Sequence, residues 1–433
     1  MADQDSKDNI IPRDDLPRQE IPEKHEQVGP LDVPQENAGE NVPSLQDEML
    51  ARPPLAVRHI IPDTETEERQ PAQRQIREAM TGAPEAARPS VSVLRKRWRK
   101  FKSLKRGYYS FLLLLALYII SFALPLLVNS TALIVKYNGD YYFPTFTFYS
   151  GATFGMADDV GGEANYRALD EKFEQDGGDN WVLMPPYPWN PLEVDFDAGA
   201  SFPLPPSGRH LLGSDDTGRD IFARLCYGFN VSISFAILLT LIEYLLGAAI
   251  GGVMGYFGGK LDLIGQRVVE IWSTVPFLYT VIIVSSILIP NFMILILVLS
   301  LFGWIGISYY MRGEFLREKS KDYVAAAIAL GVKDSTIVFR HILPNALTPM
   351  VAFLPFSLVG GITSLVALDY LGFGLPPPTP SWGQMMSVGI NNIDSWWLII
   401  TPLTAMFLTL LLVTFIGEAI REAFDPKVFS RLR

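Results

Sequence analysis

Cysteine and histidine are scarce in this chain, which has one cysteine, Cys226, and four histidines among 433 residues. A single cysteine excludes an intramolecular disulfide and offers no cysteine cluster to a metal ion. We therefore interpret Cys226 as a small apolar residue near the start of a helix. We expect neither a metal nor a cofactor.

A phosphate-binding loop is also missing. The stretch GYFGGK at 255–260 has a lysine after two glycines, but Met254 occupies the position of the first required glycine. Leu261 stands where that loop needs serine or threonine. We therefore expect that this chain does not bind ATP.

The first 94 residues lack the basic start, apolar run and small-residue cleavage site of a secretory signal, so we expect no removal of the N-terminus by export. They contain 12 prolines, 19 acidic and 10 basic residues and almost no periodic apolar pattern. Such a composition cannot bury enough apolar surface to fold. It predicts a disordered acidic tail, with short helices around Gln70–Met80 as the alternative.

Six apolar segments are long enough to cross a bilayer, whose core of about 30 Å requires about 20 residues of helix. They are approximately Tyr108–Val128, Val231–Tyr256, Thr274–Pro290, Phe292–Met311, Leu347–Gly372 and Trp396–Ile416. The sequence therefore predicts an all-α polytopic membrane protein with six transmembrane helices.

The placement of lysine and arginine beside the spans predicts their direction. RKRWRKFKSLKR, residues 95–106, holds eight basic residues and no acidic one, directly before the first span. Loop 312–346 carries six basic residues, whereas 373–395 has only Asp394. We expect both termini and loop 312–346 to be cytoplasmic, and we attribute the basic run to topology and lipid contact rather than to nucleic acid.

Residues 129–230 separate the first two spans and are expected outside. Helical spacing of Leu169 and Phe173, with Gly177 and Gly178 after it, predicts one helix, and YYFPTFTFY at 141–149 is rich in β-type residues. We predict a small folded external domain. Its 129–212 part has 12 acidic and 4 basic residues, which fits either an ordinary solvated face or attraction of a cationic substrate.

KDYVAAAIALGVKDSTIVFRHILP, residues 321–344, predicts two short helices on the cytoplasmic side. Asp322 can cap the first, Gly331 permits the left-handed conformation that ends it, and Pro344 closes the second. Three consecutive alanines leave a smooth surface that a partner backbone can approach. An ordinary intracellular loop is the alternative.

This segment resembles the loop of ABC importer permeases that reads Glu-Ala-Ala, three residues, Gly, nine residues, Ile, one residue, Leu-Pro. The residues that align with it are Ala325, Ala326, Ala327, Gly331, His341, Leu343 and Pro344. Ala325 replaces the glutamate and His341 the isoleucine. In the family this loop forms coupling helices that dock in a groove of the ATPase subunit.

Two other stretches are similar to the dipeptide and oligopeptide branch of that family. LLGSDDTGRD before the second span resembles a Leu-Gly-Thr-Asp, two residues, Gly-Arg-Asp pattern. The matching positions are Gly213, Asp215, Asp216, Gly218, Arg219 and Asp220. LDYLGFGLPPPTPSWGQMM after the fifth span is similar to a second pattern of the branch. NWVLMPPYPWNP in the external domain further resembles the YejE-like permeases of microcin C type peptide importers.

Charged residues near the spans allow more than one role. Asp215, Asp216, Arg219 and Asp220 fit a structural charge network or a partner contact, and a catalytic carboxylate pair is the alternative. Glu243 lies within an apolar run and should face the bundle or a water-filled path. It is either part of the translocation path or a partner in an interhelical hydrogen bond. Gly247, Gly251, Gly252 and Gly255 suit close helix contact.

The resemblance implies a type I ABC importer permease for peptides or peptide-like compounds in the bacterial inner membrane. It implies a second permease in a heterodimer, two ABC ATPase domains or subunits and a periplasmic solute-binding protein, with ATP hydrolysis supplied by the separate ATPase. The expected regions are 1–94 (tail), 95–128 (anchor and first span), 129–230 (external domain), 231–417 (permease core) and 418–433 (cytoplasmic C-terminus).

Two other classes remain alternatives. An ion- or proton-coupled secondary transporter would need intramembrane ionisable groups, of which Glu243 is the one candidate, and usually an internal repeat. A membrane enzyme acting through the external domain would depend on His210, which has no plausible nucleophile close to it in the sequence.

Overall fold

The computed structural model describes residues 93–156, 162–196, 199 and 201–425. The predicted acidic tail, up to residue 92, and the last residues of the predicted C-terminal region, from 426, lie outside the described residues. In the described part, helices dominate and one small sheet is present.

The elements follow one another in a simple order. They are α1 (Val93–Ser103), α2 (Lys105–Ser121), α3 (Leu124–Leu127), β1 (Ile134–Tyr137), β2 (Asp140–Tyr142), α4 (Tyr166–Asp176), β3 (Trp181–Leu183), α5 (Ile221–Phe257), α6 (Gly259–Ser273), α7 (Phe277–Ile287), α8 (Phe292–Lys319), α9 (Asp322–Ala329), α10 (Asp334–Thr336), a π-helical turn (Ile337–Ile342), α11 (Leu343–Met350), α12 (Leu354–Tyr370), α13 (Trp382–Asn391) and α14 (Trp397–Phe424).

Membrane-spanning length and apolar composition occur in three single helices, α5, α8 and α14. Three helix pairs meet the same criteria together although each is bent: α1 with α2, α6 with α7, and α10–α11 with α12. Counting each bent pair as one span gives up to six spans among the described residues, which agrees with the predicted polytopic helical fold.

Proline accounts for two of the bends. α6 and α7 meet at 68° around Pro276, and the fifth span bends by 61° between Met350 and Leu354, with Pro349 just before the break and Pro355 just after it. Proline lacks an N–H and disfavours helical backbone in the residue before it. The spans predicted at Thr274–Pro290 and Leu347–Gly372 therefore each belong to a bent helix pair.

α5 and α8 both extend beyond their predicted spans. α5 begins at Ile221 rather than Val231, because the carboxylate of Asp220 accepts a 2.7 Å hydrogen bond from the Ala223 backbone N–H and caps the helix. α8 continues past Met311 to Lys319, so the first part of the predicted loop 312–346 is helical. Arg312 binds the carboxylate of Asp262 on α6 there, at 2.5 and 2.6 Å.

Glycine brings α5 and α8 into direct contact, as predicted. A Cβ at Gly251 would lie 2.2 Å from the Ser308 carbonyl oxygen, and one at Gly255 would lie 2.6 Å from the Arg312 carbonyl oxygen. Gly247 and Gly252 face α8 as well. Membrane helices lack a strong hydrophobic force between them, so this close backbone approach supplies the packing that holds the pair.

Residues 129–220, which we call the insert, have a core of their own. β1 pairs antiparallel with β2 and with β3, and α4 covers the sheet with its buried Leu169 and Phe173. The predicted helix is confirmed, with Asn165 as its N-cap and Gly177 after its end. The β-type residues of 141–149 form a strand only as far as Tyr142.

The bundle has two ends that differ in chemistry. We call the end that holds α1 and the 321–344 segment the basic end, and the opposite one, next to the insert, the insert end. The insert end has an additional helix, α13, within the stretch predicted as the external loop 373–395. The Ser381 hydroxyl accepts from the Gln384 N–H and caps α13.

Candidate functional site

The first helix of the 321–344 segment ends in a glycine turn. Gly331 has φ +71°, its N–H donates to the Ile328 carbonyl, and the Val332 N–H donates to the Ala327 carbonyl. This pair of hydrogen bonds is the Schellman arrangement, which requires a left-handed residue at this position. The predicted break at Gly331 is confirmed.

The start of this helix is anchored by an upstream glutamate. Glu318, buried at the end of α8, accepts hydrogen bonds from Lys321 at 2.7 and 2.8 Å and from the Tyr323 hydroxyl at 2.9 Å. Asp322 is the first helical residue, so the predicted cap at Asp322 is wrong and Lys321 holds the N-cap position. The sequence did not single out Glu318, because an acidic residue at a helix end is ordinary.

Pro344 does not close the second helix, contrary to the prediction. Helical backbone continues from Asp334 to Met350, with a π-helical turn at Ile337–Ile342 directly before Leu343 and Pro344. A proline inside an α-helix loses one hydrogen bond and clashes with the carbonyl four residues earlier. The wider π turn accommodates it.

The segment has a packed face and an open face. Ala327 is buried beside Val324, Ile337 and Ile342, in one cluster with Met311 and Phe315 of α8. Ala325, Ala326 and Gly331 are exposed, Leu343 and His341 are half-buried, and Pro344 is exposed.

Large apolar side chains stand on the open face. Leu330 is 82% exposed, Phe339 69% and Ile328 49%. A short polypeptide segment whose inner side is fixed and whose outer side presents apolar groups is suited to contact with another protein.

Two contacts tie the segment to the end of α5. The Tyr256 hydroxyl donates to Asp334 at 2.6 Å, and the Lys319 ammonium donates to the Tyr256 carbonyl oxygen at 2.5 Å. α5, α8 and the 321–344 segment are thus joined by directional contacts. The segment is therefore connected to two spanning helices.

At the insert end, Asp215 organises the turn that contains the Gly-Arg-Asp motif. Its Oδ1 accepts from the Thr217 N–H, the Thr217 hydroxyl and the Arg219 N–H, and its Oδ2 accepts from the Arg219 guanidinium at 2.8 Å. Asp216 points outward and is exposed. Although its side chain reaches solvent, protein atoms around it partly desolvate the carboxylate, and this effect with the charge of Asp215 raises the pKa of Asp216 above its ordinary value.

Asp220 belongs to a second network, which runs through His210. The Asp220 Oδ2 lies 2.8 Å from His210 Nδ1 and 2.7 Å from the Tyr187 hydroxyl, while His210 Nε2 lies 3.0 Å from Asp195 Oδ2. Arg209 completes it with two 2.6 Å hydrogen bonds to Asp195. Both ring nitrogens of the fully buried His210 are engaged, so this histidine is held as a structural bridge.

Burial and charge act in opposite directions in this network. Burial alone would lower the pKa of His210, but hydrogen bonds and charges from Asp220 and Asp195 outweigh it and raise that pKa. Burial alone would raise the pKa of Asp195, and Arg209 with His210 reverse this and lower it. The raised pKa of His210 and the lowered pKa of Asp195 both favour the charged forms, a protonated histidine between two carboxylates.

Two positions of the motif have no room for a side chain, so each requires glycine. Gly213 has φ +81°, and a Cβ there would lie 2.6 Å from the Leu204 carbonyl oxygen and 2.7 Å from the Trp397 indole nitrogen. Gly218 has φ +87°, and a Cβ there would lie 2.5 Å from the Phe202 ring. The motif therefore forms a compact turn pressed against the rest of the protein.

The two motifs of the insert end meet in space. The Trp382 indole donates to the Leu225 carbonyl at 3.0 Å, and Asp369 accepts from the Ser381 hydroxyl at 2.5 Å and from the Leu375 N–H at 2.6 Å. A cavity of about 330 Å³ lies between them. Its charged or polar lining residues include Asp215, Arg219, Arg224, Asp369 and Gln384.

Glu243 lies on the face of α5 that meets α8. A Cβ at Gly303 would fall 1.7 Å from its Oε1, so the carboxylate occupies the space that the glycine leaves open. The side chain is half-buried. It is far along α5 from the motif residues of either end, and the structure does not bring it together with them.

The sequence has clear relatives. Residues 247–430 match the family described as binding-protein-dependent transport system inner membrane component. The inner membrane ABC transporter permease protein YejE of Escherichia coli (strain K12) is 42% identical over 332 residues, which are 76% of this chain and 96% of that protein. The peptidoglycan transport system permease protein YejE of Agrobacterium fabrum is 38% identical over 361 residues, 77% and 93% of the two chains.

A more distant relative is the dipeptide transport system permease protein DppC of Bacillus subtilis. It is 34% identical over 227 residues, which are 52% of this chain and 71% of that protein. The resemblance inferred from the motifs is thereby confirmed. These similarities favour an ABC permease over the alternative of a secondary transporter.

Proposed function

Because this chain belongs to the family of inner-membrane permeases of ABC transporters, we propose that it forms part of the pathway for peptides or peptide-like compounds. It is a multi-pass transport subunit rather than an enzyme. ATP is hydrolysed by a separate ATPase, and the energy reaches this chain through contact.

The 321–344 segment is the ATPase-docking site in this proposal. The observation that carries it is the open apolar face, Ile328, Leu330 and Phe339, on a segment whose other face is packed into the bundle. Exposed Ala325 and Ala326 let a groove wall approach the backbone closely. Ala325 in place of the family's glutamate removes one salt bridge, and apolar contact provides the affinity instead.

Motion passes from this site to the spans through rigid connections. α8 runs into the segment, with only Ser320 and Lys321 between α8 and α9, and Glu318 holds the start of α9. Tyr256 and Lys319 carry the displacement to α5. Alternating access then follows from tilting of α5 and α8, packed through their glycines, as one unit.

The basic end faces the cytoplasm in this proposal, with both termini on that side. Support comes from the eight basic residues of 95–106 and the six of 312–346, since such residues accumulate on cytoplasmic loops. The insert and the 330 Å³ cavity then face the solute-binding protein that delivers cargo.

A second permease packs beside α7 in the proposed heterodimer. Among the residues of this short helix only Val281 is buried, while Tyr279, Ile283 and Ile287 are at least 59% exposed. A half-length helix at the rim of the bundle has little support from its own chain. A partner helix would complete it and enclose the pathway, toward which Glu243 is proposed to face.

The cargo class rests on the relatives. Their names assign dipeptide transport to one and peptidoglycan transport to another. We infer that peptides and peptide-containing cell-wall fragments are the candidates for this chain. Uptake of labelled dipeptides, oligopeptides and cell-wall peptides by cells with and without the chain distinguishes them.

The docking site is tested by Leu330→Asp with Ile393→Asp as its matched control. Leu330 is 82% exposed at the basic end, and Ile393 is 74% exposed at the insert end, so both changes place a carboxylate where the fold has open space. We expect Leu330→Asp to abolish co-purification with the cognate ATPase and peptide uptake, and Ile393→Asp to retain the ATPase.

Membrane insertion and thermal unfolding of each variant, measured without the ATPase, separate loss of docking from loss of folding. If Leu330→Asp folded normally and retained both the ATPase and uptake, the segment would not be the docking site.

A further inference from the structure

An apolar groove lies at the basic end, outside the docking site and the transport pathway. It has a volume of about 520 Å³ and lies between α1, α2 and the end of α14, with Val351, directly after α11, at its edge. Its apolar walls include Trp98, Phe101, Phe111, Ile420 and Phe424. This size lies within the range of about 300–1,000 Å³ that is usual for small-molecule sites.

The groove is held open by contacts on both sides. A Cβ at Gly107 would lie 2.1 Å from the Ala419 Cβ, so α2 and α14 touch directly below it. The Lys100 ammonium lies 2.8 Å from the Glu422 carboxylate and ties α1 to α14. Phe101 packs edge-on against Phe111 at 5.9 Å and forms the floor.

The orientation of α1 places the groove at a membrane surface. α1 meets the spanning helix α2 at 96°. A helix perpendicular to a span lies along the interface, where its apolar side chains reach the acyl region and its basic ones the headgroups. Trp98 and Leu94 on α1 are 47% and 68% exposed, and they are the apolar side chains that would reach the acyl region.

Two arginines stand at the rim of the groove. Arg95 and Arg97 line it, and the Arg97 guanidinium lies 4.8 Å from the centre of the Phe424 ring. Lys96 and Arg99 are on the same helix but do not line the groove. A planar guanidinium can bind two phosphate oxygens at once, which makes arginine well suited to this position.

We propose that this groove is a binding site for one anionic phospholipid, whose acyl chain lies along Trp98 and Phe111 and whose phosphate binds Arg95 and Arg97. Charge selects this occupant: the stretch 95–106 has eight basic residues and no acidic one. A lipid also matches the combination of an apolar groove and a cationic rim, because its acyl chain would occupy the groove and its headgroup would bind at the rim. The site fixes α1 against α14 and is independent of ATPase docking.

The test compares two double variants that each remove two charges from α1. Arg95→Gln with Arg97→Gln changes the rim, and Lys96→Gln with Arg99→Gln changes the outer side. The full-length chain is purified in detergent, and native mass spectrometry measures binding of phosphatidylglycerol and of phosphatidylcholine. Thermal unfolding in phosphatidylcholine nanodiscs shows whether the variants fold.

We expect the rim variant to bind phosphatidylglycerol about tenfold or more weakly, and the outer variant to change by less than about twofold, because phosphate contact is specific to the rim. Brominated phosphatidylglycerol should quench the fluorescence of Trp98, measured as the difference from Trp98→Phe. Equal loss in both variants would mean diffuse surface attraction and would overturn the site. Equal binding of both lipids by the unchanged chain would also overturn it.

The second permease is the competing occupant. If the rim variant kept its phosphatidylglycerol binding but failed to assemble with the second permease, the groove would be a protein interface, and the proposal would be wrong.

Discussion

The Tyr256 hydroxyl donates a 2.6 Å hydrogen bond to Asp334, which joins the end of α5 to the second half of the proposed docking site. Replacement by phenylalanine removes this bond and leaves the ring in place. A net loss of about 1–3 kcal/mol at this joint is expected for a hydrogen bond to a charged group. We predict that Tyr256→Phe folds and binds the ATPase, while peptide transported per ATP hydrolysed falls severalfold.

Proteoliposomes that contain the complete transporter provide the measurement. Tyr309→Phe is the control, because Tyr309 is 39% exposed on α8 and takes no part in the hydrogen bond between Tyr256 and Asp334. A Tyr256→Phe transporter with an unchanged ratio of transport to hydrolysis would show that this bond does not transmit the motion.

The α5–α8 contact predicts a sharp difference between two glycines. A methyl group at Gly251 would lie 2.2 Å from a backbone oxygen of α8, which cannot move aside as a flexible side chain can. Gly306, also helical, has open space around a Cβ. We expect Gly251→Ala to destabilise the protein by about 1–3 kcal/mol through overpacking, and Gly306→Ala to be neutral or slightly stabilising.

Thermal unfolding in detergent, followed by circular dichroism, measures this difference. If both alanine variants unfolded at the temperature of the unchanged chain, the close approach of α5 and α8 would be wrong.

Asp220 and Asp216 provide a comparison of two nearby carboxylates. Asp220 caps α5 and binds His210 and Tyr187, whereas Asp216 is exposed. We expect Asp220→Asn to lower stability by about 2–4 kcal/mol, since it removes the charge that pairs with buried His210, whereas asparagine can still accept the capping hydrogen bond. Asp216→Asn should change stability by less than about 0.5 kcal/mol. Equal unfolding temperatures for the two variants would contradict the network.

His210 predicts a dependence of stability on pH. Its folded-state pKa lies above its ordinary value of 6.5, so its contribution is complete below that pH and is lost as pH rises through the folded-state pKa. Asp195 has the opposite pH dependence. Its pKa is lowered below 3.8, so its contribution to stability is lost only as pH falls through its folded-state pKa. Unfolding temperatures should therefore decline above pH 6.5.

Replacement of His210 by glutamine should lower stability and flatten this decline, because the titrating group is gone. Unfolding measured in steps from pH 6 to pH 9 separates the two effects. A decline of the same slope in the glutamine variant would assign the pH dependence to another group.

Local chemistry made part of this structure predictable. The glycines of α5 predicted a close helix contact, and Gly331 predicted a left-handed turn. Both features require a particular residue type at a known spacing, so the sequence shows them directly. The helix of the insert was predictable for the same reason, through the spacing of Leu169 and Phe173 and the glycines after it.

Contacts between distant parts of the chain were not predictable. His210 meets Asp195 and Asp220 only because the insert folds back on the start of α5, and nothing in the sequence near His210 indicates that pairing. The path of the helix through Pro344 was also missed, because a proline normally marks a helix end and only the neighbouring π turn prevents this. The early start of α5, at Ile221 rather than Val231, depends on the Asp220 cap, which an apolar composition does not indicate.

The insert leaves and re-enters the bundle at neighbouring points. The Tyr227 hydroxyl donates to the Val128 carbonyl at 3.1 Å, and the Asn230 amide donates to the Ser121 hydroxyl at 2.7 Å, so α2–α3 and α5 are fastened together directly beneath it. Since its two ends are already side by side, lengthening or shortening the chain between them costs little in loop closure. The insert and the bundle can thus change separately, since a change in the length of the insert does not move the helices that it joins.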